Sequence, residues 1–516
     1  MWRYTRATEN RARFGQHAGI SRKFLKAAAK NFLLLQILFL CLFAYIFGSL
    51  YLQNTHVHNI NIAFVDYDGG AIGAAIREGY GSLSADGFPA LEEVSADDIS
   101  TPSELRSAVC RTSYWAGLYV SPGASRRLQD ALVGGAAALD YSRFDVLTLI
   151  WNEARYSTTV DSVVFANMQT LSNAGRVAYS TANGTGGLQN ITNQHALAVL
   201  ANPWVLSSVN IQPTAQGSRV IYNTLVIILI LIQEFFYLGT INGIYANMKI
   251  YARIHPARII VMRFLNSLLY CMIGSLCVAS MIWAFRTSWS VDGNQWALTW
   301  ISLWLFAHLN FEVLDVFTVW LPIPYVPMAL ISWTVMNVTS ILLPLELSPG
   351  FYRIGYMFPA HEVYETLLDI WSRGCNPHLR YSLPILFAWE ILGFILSALG
   401  VLRRSHYATL AEEKQEKQFN ERLNAAIEFG RHRDDEHKGQ MDNERQRNET
   451  RLGDETKLQD TQRLAAMINR EDSDEKKLQR TLSRTCNFGP SFDMPFVVDD
   501  SSSVDSSIPE RRESVV

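Results

Sequence analysis

Long uncharged apolar blocks alternate with polar segments along this chain of 516 residues. The first block, residues 32–52, is long enough to cross the roughly 30 Å of hydrocarbon in a bilayer. It is longer than the apolar core of a signal peptide and ends in bulky residues, so we interpret it as a retained membrane anchor. Five further blocks follow, at residues 220–238, 259–285, 296–319, 325–345 and 383–402. Since backbone amides in lipid must be paired internally, these spans are expected to be helical.

The segment between the first two blocks, residues 53–217, contains no comparable apolar run. Its short β-branched and apolar runs predict strands at residues 60–65, 116–120, 138–141 and 205–211. Helices are predicted between the strands, including a long amphipathic stretch at residues 145–180. The sequence therefore predicts an α-helical polytopic membrane protein of about six transmembrane helices, with an α/β domain inserted between helices 1 and 2.

Positive charge marks the cytosolic side of the predicted spans. Residues 1–31 are rich in arginine and lysine and contain the single acid Glu9, so the positive-inside rule places this arm in the cytosol. Basic residues also follow the second and sixth blocks, at 249–258 and 403–404, which the same topology places inside. Residues 53–217 contain no lysine and are predicted to be extracytoplasmic. Both termini are then cytoplasmic.

Two sequons and two cysteines fall in segments predicted to lie outside the cytosol. Asn183 and Asn190 each begin an N-x-T sequon and are candidate glycosylation sites. Cys110 and Cys375 are either joined by one disulfide or are two unrelated thiols, and the sequence leaves both alternatives open.

Residues 405–516 have a different composition from the membrane region. They are rich in charged residues, glutamine and serine, with too few large apolar residues for a core, which predicts a largely disordered cytoplasmic tail. The five-block membrane region, residues 220–404, thus lies between the extracytoplasmic domain and this tail. The formal net charge of the chain is −3, and no nucleic-acid partner is expected.

No motif indicates catalysis. The chain has no G-x-x-x-x-G-K-[ST] loop for nucleotide phosphates, no H-E-x-x-H zinc motif and no G-x-S-x-G nucleophile motif. We therefore predict no enzymatic activity, no catalytic residue, no cofactor and no metal site.

Ionisable residues inside the apolar blocks are the strongest candidates for a functional site, because a charge in hydrocarbon costs several kcal/mol. The candidates are Glu234, Arg263, Glu312 and Asp315, with Glu390 and Asn337 as weaker ones. The first four are expected at similar depth, where they could form an ion-pair cluster. Such a cluster is either a substrate or gating site or a packing device that fixes helix register.

The segment between the fifth and sixth blocks is rich in aromatic residues and proline, which suits the outer membrane interface. Its notable residues are Pro344, Glu346, Pro349, Tyr352, Arg353, Pro359 and His361. This segment resembles the hallmark of the fungal nitrosoguanidine-resistance family, which is similar in layout to bacterial phage-infection proteins and ABC-2-type permeases. The stretches at 61–68 and 114–128 also resemble the external domain of those permeases, and the resemblance covers about residues 30 to 404.

The resemblance implies membrane transport or export, resistance to toxic compounds and a plasma-membrane location. ABC-2 permeases pair with a nucleotide-hydrolysing subunit, so it also implies either a separate ATPase at the cytoplasmic face or a protein that ATP does not drive. The expected partners are the lipid bilayer, that ATPase or a regulatory protein, and a second copy of the chain.

Two functions remain open at this point. One is a permease-like protein that exports toxic or lipid-like compounds. The alternative is a non-transporting scaffold or a stress or lipid regulator, which acts through its external domain and its cytoplasmic tail.

Overall fold

The computed structural model describes residues 18–187, 194–214, 225–286 and 289–442. Within them the chain is mostly helical and divides into two compact units. The first unit comprises the described residues of Met1–Leu231, Met272–Ala307 and Pro327–Trp389, and the second comprises those of Ile232–Cys271, His308–Val326 and Glu390–Val516.

The first described helix, α1, spans Ala18–Ser49. It starts before the apolar block predicted at 32–52, because the preceding lysines, alanines and leucines are themselves good helix formers. It also ends before that block does, and a 3₁₀ helix at Gln53–Asn59 follows. The first strand of the sheet begins directly after this short helix.

A five-stranded sheet forms the centre of the segment that follows. Its strands are β1 (Asn61–Asp66), β2 (Ala90–Glu93), β3 (Ala116–Val120), β4 (Leu147–Trp151) and β5 (Leu206–Asn210). Their order is β2-β1-β3-β4-β5. β1 is parallel to β2 and β3, β4 is antiparallel to β3, and β5 is parallel to β4. The sheet is therefore mixed.

Helices accompany the sheet. They are α2 (Ala71–Leu83), α3 (Pro102–Cys110), α4 (Ala124–Val133), α5 (Ala136–Asp140), α6 (Ser157–Thr159), a π-helix at Val160–Phe165, α7 (Ala166–Gly187) and α8 (Gln194–Ala201). Leu105 of α3 packs against Ala63, Val65 and Ile150 of the sheet. The four central residues of β1 are all buried, as expected for a strand covered on both faces.

Parts of this segment differ from the sequence prediction. Residues 138–141, predicted as a strand, lie largely in α5, because three consecutive alanines favour a helix. The stretch 145–180, predicted as amphipathic helix, begins with β4, whose residues are all buried. A short buried apolar run of this kind is not distinguishable by periodicity from a helical segment. Strand β2 was not predicted, since its sequence contains two glutamates.

Seven further α-helices follow the sheet in the part of the chain that the structure describes. They are α9 (Val226–Asn247), α10 (Ile250–Arg253), α11 (Pro256–Ala284), α12 (Gly293–Trp320), α13 (Val326–Leu342), α14 (Pro359–Trp371) and α15 (Leu379–Asp442). Short 3₁₀ helices lie at Ile323–Tyr325, Leu345–Leu347 and Gly350–Met357.

Five helices in the described part of the chain are long and apolar enough to cross a membrane: α1, α9, α11, α12 and α15. The block predicted at 325–345 is also helical, but α13 has 17 residues. At 1.5 Å per residue it is about 25 Å long, slightly less than the hydrocarbon thickness. Pro344 follows closely and disfavours helical backbone at the residue before it, which accounts for the early end.

Helix α15 continues far beyond the apolar block predicted at 383–402. It reaches Asp442, so residues 405–442 are helical where the sequence predicted a largely disordered tail. This stretch is rich in good helix formers, and it extends a helix that is already nucleated. The rest of the predicted tail lies outside the described residues.

A disulfide joins Cys110, at the end of α3, to Cys375, which follows α14. Their Cα atoms are 4.0 Å apart and 265 residues separate them in sequence. The side-chain amide of Asn152 also donates a hydrogen bond to the carbonyl of Cys375, at 3.3 Å. The sheet and the segment after α14 are thus cross-linked within the first unit.

Helices α2 and α7 pack closely where two glycines meet. A Cβ atom built on Gly79 of α2 would lie 2.7 Å from the backbone nitrogen of Gly175 of α7. Because the contact is with backbone, it can be relieved only by moving one helix. Gly81, two residues further along α2, has no atom within 4 Å of its own Cβ position.

We expect Gly79→Ala to destabilise the sheet segment by about 1–3 kcal/mol through overpacking. Gly81→Ala, the matched control, should be neutral or stabilise by up to about 1 kcal/mol, since alanine is the better helix former. The midpoint of thermal unfolding of the purified full chain checks both. Equal midpoints for the two variants would contradict the close packing of α2 on α7.

Candidate functional site

A buried carboxylate shared by two arginines forms the centre of the second unit. Asp315 on α12 is fully buried. Arg263 of α11 donates to it through Nη2 to Oδ1 at 2.5 Å and through Nε to Oδ2 at 3.1 Å. Arg404 of α15 donates through Nη2 to the same Oδ1 at 3.1 Å. The bidentate pair with Arg263 has the strongest geometry available to a carboxylate, and three helices meet at this one group.

Neutral groups add hydrogen bonds around this ion pair, although Nε of Arg404 has no hydrogen-bond partner among the described residues. The hydroxyl of Ser397 donates to Asp315 Oδ2 at 2.8 Å. The hydroxyl of Tyr251 accepts from Arg263 at 3.4 Å and from Arg404 at 3.1 Å. A buried ion pair is tolerated when such further hydrogen bonds satisfy the remaining donors and acceptors, so the arrangement is stable only as a whole.

A second group of ionisable residues surrounds His308 on α12. Its Nδ1 lies 2.6 Å from Oε1 of Glu390, and its Nε2 lies 3.1 Å from the hydroxyl of Ser267 and 3.8 Å from Oε1 of Glu312. All of these residues belong to the second unit. The imidazole therefore stands between two carboxylates. The second carboxylate oxygens of Glu312 and Glu390 are buried and have no hydrogen-bond partner among the described residues.

Glu234 on α9 has a separate environment. It is almost fully buried, and its Oε2 accepts a hydrogen bond of 3.2 Å from the thiol of Cys271 on α11. The sequence analysis grouped Glu234 with the ion-pair cluster, but its hydrogen bond is to a cysteine. A neutral partner of this kind does not compensate a charge.

Two glycines allow α15 to approach α12 closely. A Cβ atom on Gly393 would lie 2.9 Å from Cβ of Glu312, and one on Gly400 would lie 2.7 Å from a methyl group of Val319. Small residues at helix interfaces let backbones pack tightly inside membranes. Gly393 and Gly400 alternate along one face of α15 with the polar residues Glu390, Ser397 and Arg404, which recur every seven positions.

The polar cluster encloses very little free space. A cavity of about 10 Å³ is lined by Arg263, Glu312 and Ser397 together with apolar residues of α11 and α15. A volume of this size is at the lower limit for one water molecule. The site as seen here is therefore closed to any organic compound.

Of the six intramembrane residues named from sequence, the structure joins Arg263 to Asp315 and connects Glu312 to Glu390 through His308. Asn337 of α13 serves a different purpose, since its Oδ1 accepts from the backbone nitrogen of Ala360 at the start of α14. Several partners were missed by the sequence analysis: Tyr251, Ser267, Cys271, His308, Ser397 and Arg404.

His308 could have been found from sequence. It lies four residues before Glu312 and seven before Asp315, so the three share one face of α12. Arg404 was used only as a marker of membrane orientation. Its contact with Asp315 connects residues that are 89 positions apart, for which the sequence gives no local signal.

The residues singled out between the fifth and sixth apolar blocks lie in the first unit, at or next to two 3₁₀ helices and at the start of α14. His361 hydrogen-bonds through Nδ1 to the carbonyl of Ser340 at 3.2 Å, and Tyr352 packs on Tyr45 of α1. Arg353 is exposed. Pro344 and Pro349 each precede a 3₁₀ helix, Pro359 begins α14, and Pro344, Glu346 and His361 line one cavity.

Only one of the two candidate glycosylation sites lies among the described residues. Asn183 falls within the backbone of helix α7. Asn190 lies outside the described residues.

Replacing Asp315 by asparagine leaves two buried guanidinium groups without their carboxylate. We expect this to cost about 3–5 kcal/mol, because an unpaired buried charge is strongly unfavourable. The midpoint of thermal unfolding in detergent should fall accordingly. The matched control is Glu412→Gln, which removes the exposed pair of Lys249 and Glu412, 3.1 Å apart. That pair should be worth less than about 1 kcal/mol. Equal midpoints of thermal unfolding for Asp315→Asn and Glu412→Gln would contradict the pairing of Asp315 with the two arginines.

Comparison with known proteins gives a family and distant relatives. The model of a family described as "Protein of unknown function (DUF3533)" matches residues 31–395. The chain is also similar to the "Uncharacterized endoplasmic reticulum membrane protein YJR015W" of Saccharomyces cerevisiae (strain ATCC 204508 / S288c). The two are 22% identical over 288 residues, which cover 52% of this chain and 55% of the yeast protein. The chain thus spans about half the length of this curated relative. No solved structure matches it.

The family match includes the sheet, α9, α11, α12 and the first part of α15. It contains Arg263, Asp315 and Glu390 but ends before Ser397 and Arg404. The long apolar helices and the yeast relative together identify the chain as a membrane protein.

Proposed function

The chain belongs to the DUF3533 family, and we propose that it is a permease-like membrane protein that exports toxic or lipid-like compounds and contributes to drug resistance. The observation that carries the proposal is the buried cluster around Asp315 and His308 in the second unit. Ionisable residues inside membrane helices are costly and commonly mark a transport path.

The two halves of the cluster have different roles in this proposal. Asp315 with its two arginines fixes α11, α12 and α15 to one another, since both guanidinium groups pair with the same carboxylate. His308, Glu312 and Glu390 form the adaptable half, because both carboxylates keep an oxygen without a hydrogen-bond partner among the described residues. These free acceptors are available to a substrate group or a proton once the site opens.

Opening requires α15 to move away from α12. The cavity of about 10 Å³ admits no substrate, and Gly393 and Gly400 hold the two helices close together. Because Gly393 and Gly400 have no side chains, α15 can slide along α12 or separate from it with little steric resistance. Helix α15 is therefore the moving element in this proposal.

The proposed orientation places the sheet segment outside the cytosol and both termini inside, with α13 as a sixth span. The disulfide between Cys110 and Cys375 supports this orientation, because disulfides persist in oxidising compartments. We propose the plasma membrane as the location. The yeast relative is described as an endoplasmic reticulum protein, and the lumen there is the equivalent oxidising side. N-glycosylation at Asn183 and Asn190 belongs to the same proposal.

The energy source in this proposal is a separate ATPase at the cytoplasmic face, as in ABC-2-type permeases. The support for it is the sequence itself, which contains no phosphate-binding loop. A second copy of the chain is an additional expected partner.

The test compares cells that lack this protein with cells that carry the wild-type chain, Glu312→Gln or Glu421→Gln. Glu421 is exposed on α15, so its substitution is the matched control. Wild type and control should lower the accumulation of labelled nitrosoguanidine or lipid-like toxic compounds. Cells that carry Glu312→Gln should accumulate as much of the compound as cells without the protein do. The variant itself should be present in the membrane at normal abundance. Low accumulation in that variant would contradict the proposal.

The second candidate is a non-transporting scaffold or regulator. The extension of α15 to Asp442 favours it, because a long helix with exposed charged residues is a suitable surface for a partner protein. Removal of residues 411–516 separates the candidates. A scaffold loses its function with this segment, whereas a transporter keeps compound accumulation low.

A further inference from the structure

The first unit contains a cavity of about 280 Å³ that the proposed export site does not use. Two parts of the chain form it. Trp115, Arg155 and Tyr156 come from the sheet segment, and the remaining lining residues come from the region between Pro344 and Ile385. Tyr381, one of these residues, is 56% exposed, so the cavity reaches the surface of the first unit.

The lining carries three carboxylates, those of Glu346, Glu362 and Glu365. Its basic residues are Arg155, His361 and His378. The guanidinium of Arg155 lies 3.6 Å from the ring centroid of Trp115, so its charge is already engaged by an aromatic face. With histidine counted as neutral, the lining therefore carries an excess of formal negative charge, because the one arginine compensates one of the three carboxylates.

A hydrogen bond holds one of the acidic groups, Glu365, in place. Oε2 of Glu365 accepts from the side-chain amide of Asn376 at 2.7 Å and lies 3.5 Å from His378. Burial raises the pKa of Glu362. The charge of His361 lowers this pKa, and the charge of Glu365, a smaller effect, raises it. Mutual repulsion between these carboxylates is relieved when a cation enters.

Tyr156 is an independent observation that points to a ligand. Its side chain is 2% exposed and lines the cavity, yet its hydroxyl has no hydrogen-bond partner among the described residues. Burial raises its pKa well above the usual value, with Glu365 contributing, so the hydroxyl stays protonated beside the carboxylates. An orphaned buried hydroxyl costs free energy that a bound polar group would recover.

The backbone around Tyr156 is also unusual. Its φ of 53° is left-handed, which is rare for a bulky residue. The conformation is maintained by a hydrogen bond from its backbone nitrogen to the hydroxyl of Tyr364, at 3.1 Å. A π-helix at Val160–Phe165 follows closely, and such helices are frequent at functional sites. The chain thus places this side chain at a conformational cost.

We propose that this cavity binds a small free organic ammonium ion. Carboxylates and aromatic rings together are the chemistry that recognises such ions, and Tyr156 and Tyr356 supply rings beside the acids. An anion is disfavoured by the excess of carboxylates. A metal ion is disfavoured because no three His, Cys, Asp or Glu side chains in the described ranges are grouped to hold one. The proposal does not depend on export by the second unit.

Choline is the probe, and its neutral isostere 3,3-dimethylbutan-1-ol is the control ligand. Binding to the purified full chain in a maltoside detergent is measured by isothermal titration calorimetry. Choline should bind saturably, and the isostere, which lacks only the charge, should bind at least about tenfold more weakly. Equal affinity for the two ligands, or no saturable choline binding, would overturn the assignment.

Three variants locate the binding site. Glu346→Gln, at a partly exposed position, should weaken choline binding about tenfold. Glu78→Gln, on the exposed face of α2, is the matched control and should bind as wild type does. If Glu346→Gln fails to fold, Tyr356→Leu removes a ring from the lining instead and should also weaken binding. Unchanged affinity in the folded lining variants would place the choline elsewhere and overturn the proposal.

Discussion

The shared contact of Arg263 and Arg404 with Asp315 is the interaction on which the membrane part of the structure depends. A lone carboxylate or a lone guanidinium would be expelled from an apolar interior. Together they satisfy one another, and they do so only when α11, α12 and α15 lie in one register. The position of His308 and its two carboxylates, two turns away on α12, follows from that register.

The face of α15 shows how the sequence achieves this packing. Glu390, Ser397 and Arg404 recur every seven residues, and Gly393 and Gly400 lie between them with the same period. The glycines bring the backbone close, and the polar side chains then reach partners on α12. The residues for close packing and for polar contacts therefore lie on one face of α15. A change in the contact between α15 and α12 thus also changes the polar site.

The first unit is organised by long-range contacts of another kind. The disulfide of Cys110 with Cys375 and the hydrogen bond of Tyr156 with Tyr364 connect the sheet segment to the region around α14. The side-chain amide of Asn59 adds a hydrogen bond to the carbonyl of Glu346, at 2.9 Å. The acidic cavity lies among these connections, so its lining is fixed by contacts that also stabilise the fold.

The sequence was informative where a signal is local. Long apolar blocks predicted the membrane-type helices, and the cost of burying charge singled out Arg263 and Asp315 before their pairing was known. It was uninformative where structure depends on distant residues. Nothing near Arg404 indicates that it turns inward to Asp315. The short apolar run of β4 would also fit a buried helix, and its strand conformation depends on pairing with β3 and β5. The Tyr156 cavity likewise joins two regions about two hundred residues apart.

The most direct test of the export account is the initial rate of efflux from preloaded cells. Cells are loaded with a labelled toxic compound, transferred to compound-free medium, and the label that leaves is followed in the presence and absence of this protein. The account predicts faster efflux when the protein is present. Equal rates, with a difference in resistance that persists, would contradict export and favour a regulator that acts through partner proteins.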